Sequence, residues 1–360
     1  MVSPSALKGY LLEEALAWLL RSSGYRLLVH ADQDPVELVD QGGDLRVRGR
    51  GALHQADVLG EFTFTPAFSM PVRLFLEAKY RKESCDLPMV RNAHGVVHDV
   101  NENYMAGSGA RPRQRYKYSY VLFSASGFTA DAQKYALAHH ISLVDLSGPT
   151  FDFLRGIIDV TANELGETQD HLLEVGNSKK RVFPVSWMRS MLREYLGTAP
   201  PNLLSPHVDL VGEFQRKAGR TLTEFAETLV RRSGSELLLG FPAAPFILPL
   251  ATENYEKFIA FGTGQPDHKV RIRRHGSGGR AEWKLSPAEA PDAYELTFKL
   301  PEQIEDWIGE VADEEISRAV KVKQQFLSEI TLYRMNDGGV RAYQLRYEPG
   351  SLSRMRRTDA

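Results

Sequence analysis

The sequence predicts an α/β unit at the N-terminal end of this 360-residue chain, followed by an α+β unit whose fold it leaves unnamed. Three observations predict this. Through roughly the first 150 positions, apolar periods of two and of 3.6 alternate in the order helix, strand, hairpin, strand, helix, strand, as in a sheet with helices packed on it. The proline-rich stretch GTAPPNLLSPH, Gly197 to His207, interrupts the pattern and marks a boundary. Beyond it come helical and strand-like runs without that regular alternation. The expected division is a first unit over 1–150, a helical connector over 151–205 and a second unit over 206–360.

Each element has a local reason. Residues 7 to 23 read as an amphipathic helix, with Leu12, Leu16, Leu19 and Leu20 at helical spacing and Gly24 as the stop. GYRLLVH reads as a strand. Glycine-rich turns then lead into a strand from about Leu53 to Thr65. Pro66 and Pro71 bracket a loop before VRLFLEAKYRK, a buried strand that begins at Val72 and pairs antiparallel with the previous one. Residues 86 to 106 read as helical or irregular, and Lys117 to Ser126 as a strand. A helix follows with Thr129 as N-cap and Asp131 in its first turn, then the short buried strand ISLVDL. Residues 150 to 200 and 208 to 234 read as mainly helical, 240 to 300 as mostly strands, and 301 to 326 as helical. The run from Glu329 to Glu348 reads as a hairpin turning at Asp337 and Gly338.

Composition narrows the function classes. Hydrophobic residues make up 42% and charged residues 25%, an ordinary soluble mixture. With 44 Lys and Arg against 46 Asp and Glu, the net charge of −2 does not announce nucleic acid, so any such surface must be local. Cys85 is the only cysteine, which excludes an internal disulfide and a cysteine zinc site within one chain and fits a reducing cytoplasm. The N-terminal run has no basic leader, and Glu13 and Glu14 interrupt it. The apolar stretch LLLGFPAAPFILPLA is broken by three prolines, so no membrane span is expected.

In the Val72 strand, Val72, Leu74, Leu76 and Ala78 point one way, and Phe75, Glu77 and Lys79 the other. A buried charge is costly unless paired. A carboxylate and an ammonium on one face therefore mark either a site or an ion pair at a strand end. Gln55, Asp57 and Leu59 share a face of the preceding strand, which would bring Asp57 beside Glu77 and Lys79. Two carboxylates at one point form a hard-oxygen site for Mg²⁺, with Mn²⁺ as a substitute. A metal there would lower the pKa of a bound water and clamp a displacement at phosphorus.

Asp57 with Glu77-Ala78-Lys79 resembles the PD-(D/E)XK nuclease motif. The flanks sharpen the likeness: KGYLLEEALAWLLRSSGY resembles the first helix of the Mrr-like restriction endonuclease domain, and YVLFSASGFTADAQKYALAHHISLVDL resembles its closing strand, helix and strand. The resemblance covers about residues 7–147. It implies a restriction-endonuclease-like mixed sheet flanked by helices, with Asp57 and Glu77 binding Mg²⁺ and Lys79 assisting the attacking water. It also implies a helix glutamate near the site, matched to Glu13 on the face of Ala17 and Leu20, with Glu14 as second choice. Gln55 would touch the scissile phosphate or order the pocket; His54 points away. The chain departs from the family in two ways. Ala56 stands where a proline commonly precedes the aspartate, and an unfamiliar unit follows where a winged helix commonly precedes. Target choice is therefore not carried over.

The implied activity is a cytoplasmic, Mg²⁺-dependent DNA endonuclease in restriction or antiviral defence. A homodimer is expected, because nucleases of this fold often pair to cut both strands. The second unit would select the target, bind a defence-system partner or regulate. Arg111, Arg113, Arg115 and Lys117, with interleaved tyrosines, are expected as a DNA-contacting loop near the site. Lys269 to Arg280 and residues 177–181 are further basic segments. Two other readings stay open: a non-catalytic nucleic-acid or subunit-binding protein, and an effector nuclease activated by a small ligand. Serine catalysis is rejected, because no G-x-S-x-G elbow surrounds Ser124 or Ser126. His139 and His140 diverge and make a poor metal pair.

Overall fold

The computed structural model describes residues 2–42, 44–65, 68–103, 114–175, 184–199, 212–244, 246–252, 254–276, 281–336 and 339–349. Its architecture is α/β with several sheets. The first sheet contains β1 (Tyr25–Leu28), β5 (Val58–Phe62), β6 (Val72–Lys79), β7 (Lys117–Ser124) and β8 (Ser142–Asp145), in that spatial order. β1, β5 and β6 pair antiparallel, while β6, β7 and β8 pair parallel. Three further strands, β2 (Leu38–Gln41), β3 (Asp44–Arg48) and β4 (Leu53–Gln55), form a small sheet of their own.

Helix α1 (Pro4–Ser22) begins where the Ser3 hydroxyl accepts the Ala6 N–H. It is not the one-sided helix its leucine spacing predicts. Leu7, Leu11, Leu12, Leu16, Trp18 and Leu20 are all buried, because the sheet covers one side and α4 (Asp152–Val175) and α5 (Val185–Leu196) close the other, with α6 (Gly212–Glu236) packed on those two. A single apolar core runs from α1 and the sheet into these three helices. Gly60 on β5 lets α1 approach closely: a Cβ there would lie 2.7 Å from Leu20 Cδ2. The opposite face of the sheet is covered by α2 (Leu87–Asn101) and α3 (Ala130–Ala138). Thr129 caps α3 as its sequence predicts, its hydroxyl accepting the Ala132 N–H.

The strand expected from Leu53 to Thr65 is broken. β4 ends at Gln55 and belongs to the small sheet; β5 starts at Val58 in the large one. Ala56 and Asp57 form the corner between them.

The second unit contains a closed barrel of seven strands. These are β9 (Leu237–Pro242), β10 (Leu248–Thr252), β11 (Asp267–His275), β12 (Glu282–Pro287), β13 (Leu296–Phe298), β14 (Glu329–Asn336) and β15 (Gly339–Tyr347). Around the ring the order is β10-β13-β12-β11-β15-β14-β9, with β9 pairing back to β10. Only the β11–β15 pairing is parallel. Helices α7 (Tyr255–Gly264), α8 (Glu302–Gly309) and α9 (Glu315–Gln325) complete the unit. Trp283, Phe258, Leu250 and Leu345 are among its buried core residues. β14 and β15 form the hairpin expected from sequence; its turn at 337–338 lies outside the described residues, as do 200–207 of the expected boundary. The units meet where Tyr25 and Phe62 pack on Phe241 and Tyr333, and where Gln303 donates to the Ala130 carbonyl at 2.9 Å. No helix among the described residues is long and apolar enough to cross a membrane.

Candidate functional site

The corner between β4 and β5 creates the site. Val58 opposes Leu76 across the antiparallel pair, so the residue before it reaches β6 just past Leu76. Asp57 Oδ2 accepts the backbone N–H of Ala78 at 2.9 Å. That bond holds the carboxylate between Glu77 and Lys79. Glu77 forms an ion pair with Lys79 and accepts the hydroxyl of Tyr120, which stands opposite Phe75 on β7. The Glu77 and Lys79 side chains keep 20% and 28% of their exposure, so the pair is neither sealed in the core nor fully solvated.

The electrostatics follow from crowding. Burial raises the Asp57 carboxyl above its ordinary range; the Ala78 N–H and Lys79 oppose the rise, and Glu77 adds to it. Burial pulls the Lys79 ammonium down, but the charge and hydrogen bond of Glu77, with Asp57, leave it above its usual value. Glu13 on α1 belongs to the same field. Burial pushes its carboxyl up to about 7, Arg189 resists this, and the charges of Asp57 and Glu14 add to it.

The two helix glutamates have separate roles. Glu13 pairs with Arg189 at 2.9 Å. Glu14 is fully buried and anchors two arginines of α5, accepting Arg189 Nε at 2.7 Å and Arg193 Nε at 3.1 Å. Sequence reasoning missed Arg189, Arg193 and Tyr120. The arginines do carry a signal: four residues apart in WMRSMLREY, they share a helix face.

Gln55 and Asp57 do not share a strand face, because β4 ends at Gln55. Both line one cavity of about 330 Å³ between α1, α5 and the strand corner. His54 turns away as expected, its Nε2 lying 2.7 Å from Asp99 Oδ2.

The basic loop is a correction. Arg111 and Arg113 lie outside the described residues. Lys117 is not near the site: it pairs with Val72, whereas Lys79 pairs with Ser124. The difference is seven residues along parallel strands, about 23 Å at ~3.3 Å per residue. Arg115 precedes Lys117 at that same far end. The interleaved tyrosines serve the core there. Arg73, fully buried, stacks 3.4 Å from the Tyr116 ring and donates to Tyr118, Glu61 and Asp34. Of the other basic segments, 177–181 and 277–280 are outside the described residues, and Lys269, Arg271 and Arg273 point outward along β11.

Among the described residues, no group of three or more His, Cys, Asp or Glu is arranged to hold a metal ion. Two carboxylates still fit Mg²⁺, which keeps several waters and takes one or two carboxylates beside a phosphate. Asp57 commits Oδ2 to Ala78 and leaves Oδ1 without a partner among the described residues. The Asp57 carboxyl, pushed up by burial and by the charge of Glu77, is also a group that a cation would relieve.

No protein-family model matches the chain, and no curated protein matches it. One solved structure does match, the crystal structure of a protein of unknown function, AF1548. It shares 16% identity and covers 62% of this chain and 98% of its own, at a TM-score of 0.31. An overlap that loose carries no argument about fold or function.

Proposed function

We propose that this chain is a Mg²⁺-dependent DNA endonuclease of the Mrr-like type within the PD-(D/E)XK superfamily. One observation carries the reading: the Asp57 carboxylate is bonded to the backbone between Glu77 and Lys79, gathering two carboxylates and an ammonium at one point. A buried helix, an antiparallel strand pair and a parallel strand–helix–strand in sequence support a restriction-endonuclease-like first unit.

In this reading Asp57 and Glu77 hold Mg²⁺, or Mn²⁺ in its place. When bound, the metal supplies a more acidic water and stabilises charge on the phosphate. Lys79, kept charged by Glu77, orients the attacking water. Tyr120 fixes the Glu77 carboxylate, and Arg189 holds Glu13 within the field of Asp57. Gln55 borders the pocket. Restriction or antiviral defence in the cytoplasm is the proposed role. The barrel would choose the target or bind a defence-system partner, and a homodimer would cut both strands.

The test is supercoiled plasmid, unmethylated and methylated, incubated with the protein in Mg²⁺, in EDTA and with Lys79→Ala. Metal-dependent cutting that falls by ~10²-fold or more in the variant is expected for loss of a group acting on the water. Cutting that survives Lys79→Ala would sink the site assignment. Absence of cutting, with gel-shift binding unchanged in the variant, would favour the non-catalytic binding protein. A cavity of about 260 Å³ between α3, β8 and the barrel, walled by Phe128, Phe151, Phe246 and Phe298, favours as second reading an effector nuclease activated by a small ligand. Cutting stimulated by a small molecule would distinguish it.

A further inference from the structure

The cavity beside Asp57 has features that the metal and its water do not use. Thr198 follows the C-terminal end of α5, where Gly197 adopts a left-handed φ of 62° and Arg21 donates to the Leu196 carbonyl at 3.4 Å. Thr198 lines the cavity and is only 3% exposed, yet its hydroxyl has no partner among the described residues. A buried hydroxyl left unbonded is unfavourable, so such a group asks for a ligand. Arg193 lines the same wall. Its Nε is held by Glu14, while its two terminal nitrogens have no partner among the described residues. Those nitrogens form the planar fork that matches phosphate oxygens. Glu13 and Glu14 together balance Arg189 and Arg193, so what Arg193 offers an occupant is the hydrogen-bond donors of its fork rather than surplus charge. The lining also includes Tyr10, Leu27, Val29 and Val185, apolar surface suited to a planar base, with the Arg189 guanidinium 5.6 Å from the Tyr10 ring.

The size of the cavity selects the occupant. About 330 Å³ admits one nucleotide and excludes a run of bases. Asp57 is part of the lining, so an occupant adjoins one of the two proposed metal ligands.

We infer that this cavity is a mononucleotide subsite: it takes the nucleotide next to the bond being cut, with its outer phosphate on Arg193 and Thr198 and its base on the Tyr10 wall. The inference rests on the nuclease reading for the identity of that nucleotide. It places a residue of the segment after the sheet, Thr198, in direct contact with substrate.

The probe is thymidine 5′-monophosphate, titrated by NMR onto the full chain in EDTA, with thymidine and inorganic phosphate alongside. The monophosphate is expected to bind at least tenfold more tightly than either fragment. Thr198→Val and Arg193→Lys should each weaken it by about tenfold, the loss of one charge-assisted hydrogen bond. Thr198→Ser, which keeps the hydroxyl, should restore binding, and thermal unfolding of each variant separates lost contact from lost fold. Absence of monophosphate binding, or equal affinity in Thr198→Val and Arg193→Lys, overturns the subsite; so does inorganic phosphate binding as tightly as the nucleotide. A wild-type chain that binds the monophosphate but never cuts plasmid sinks the nuclease and leaves the pocket. One that cuts plasmid but ignores the monophosphate sinks the pocket alone.

Discussion

Glu13 holds a proton that an exposed glutamate would have lost. Its carboxyl sits at about 7 in the folded chain, against an ordinary value of 4.5. Between those values the folded state binds more protons than the unfolded state, so stability falls as pH rises through the window. Glu13→Gln removes that titration while Arg189 stays bonded to Glu14. In EDTA, unfolding free energies from urea titrations at pH 5 and pH 8 should differ more for the wild type than for the variant, by on the order of 2 kcal/mol. Equal differences would refute the assignment. Arg73 makes the opposite case, a buried cation with a full set of partners. Arg73→Met leaves Asp34 without its cation and Glu61 with Arg26 alone, and should cost roughly 3–5 kcal/mol in urea unfolding. The substitution lies at the far end of β6 from Lys79, so Mg²⁺-dependent cutting per folded molecule should be unchanged. At this scale local alternation placed Glu77 and Lys79 on one face of β6, and Asp57 does lie beside them, but it reaches them from the corner and not from an alternating strand. The sequence hid Arg189 and Arg193, which reach the site only through the packing of α5 on α1.

At the scale of elements, the decisive contact is α1 on β5. Gly60 leaves no room for a methyl group, with Leu20 Cδ2 at 2.7 Å and Tyr25 Cβ at 3.2 Å from where its Cβ would stand. Gly60→Ala must push the helix away or force Leu20 off its rotamer, a loss of about 1–3 kcal/mol. Because α1 carries Glu13, cutting should also fall by more than the unfolded fraction explains. Wild-type stability in this variant would show that the helix slides freely. The long elements were legible: α1 from its leucines, α3 from its cap, and β6 from its apolar run. The corner at Ala56 was not. An alternating pattern continues smoothly from Leu53 onward, and nothing local announces that the chain leaves one sheet and enters another. Nor does local sequence give the register of β6 with β7, which carried Lys117 to the wrong end of the predicted site.

For the whole molecule, the carboxylate crowding has a thermodynamic reading. A cation that binds only the folded chain stabilises it, by about 2.7 kcal/mol at a free concentration ~100-fold above its dissociation constant. Mg²⁺ should therefore raise the unfolding temperature of the wild type and leave Asp57→Asn unmoved. A shift retained in Asp57→Asn would place the metal elsewhere. Composition foretold an ordinary globular chain and a mixed second half. It did not foretell the ring of strands, because closure depends on pairing β9 with β14, and β11 with β15, across large sequence separations.

That ring has a consequence for company. A strand with an unpaired side recruits other strands through its backbone, which is how many sheets are extended by peptides and how many aggregate. Around the barrel every strand among the described residues has neighbours on both sides. A partner drawn to the closed part of this ring must therefore be recognised by side chains and by shape; among the described residues main-chain strand addition is left to stretches paired on one side, such as Tyr333–Asn336 with Gly339–Ala342.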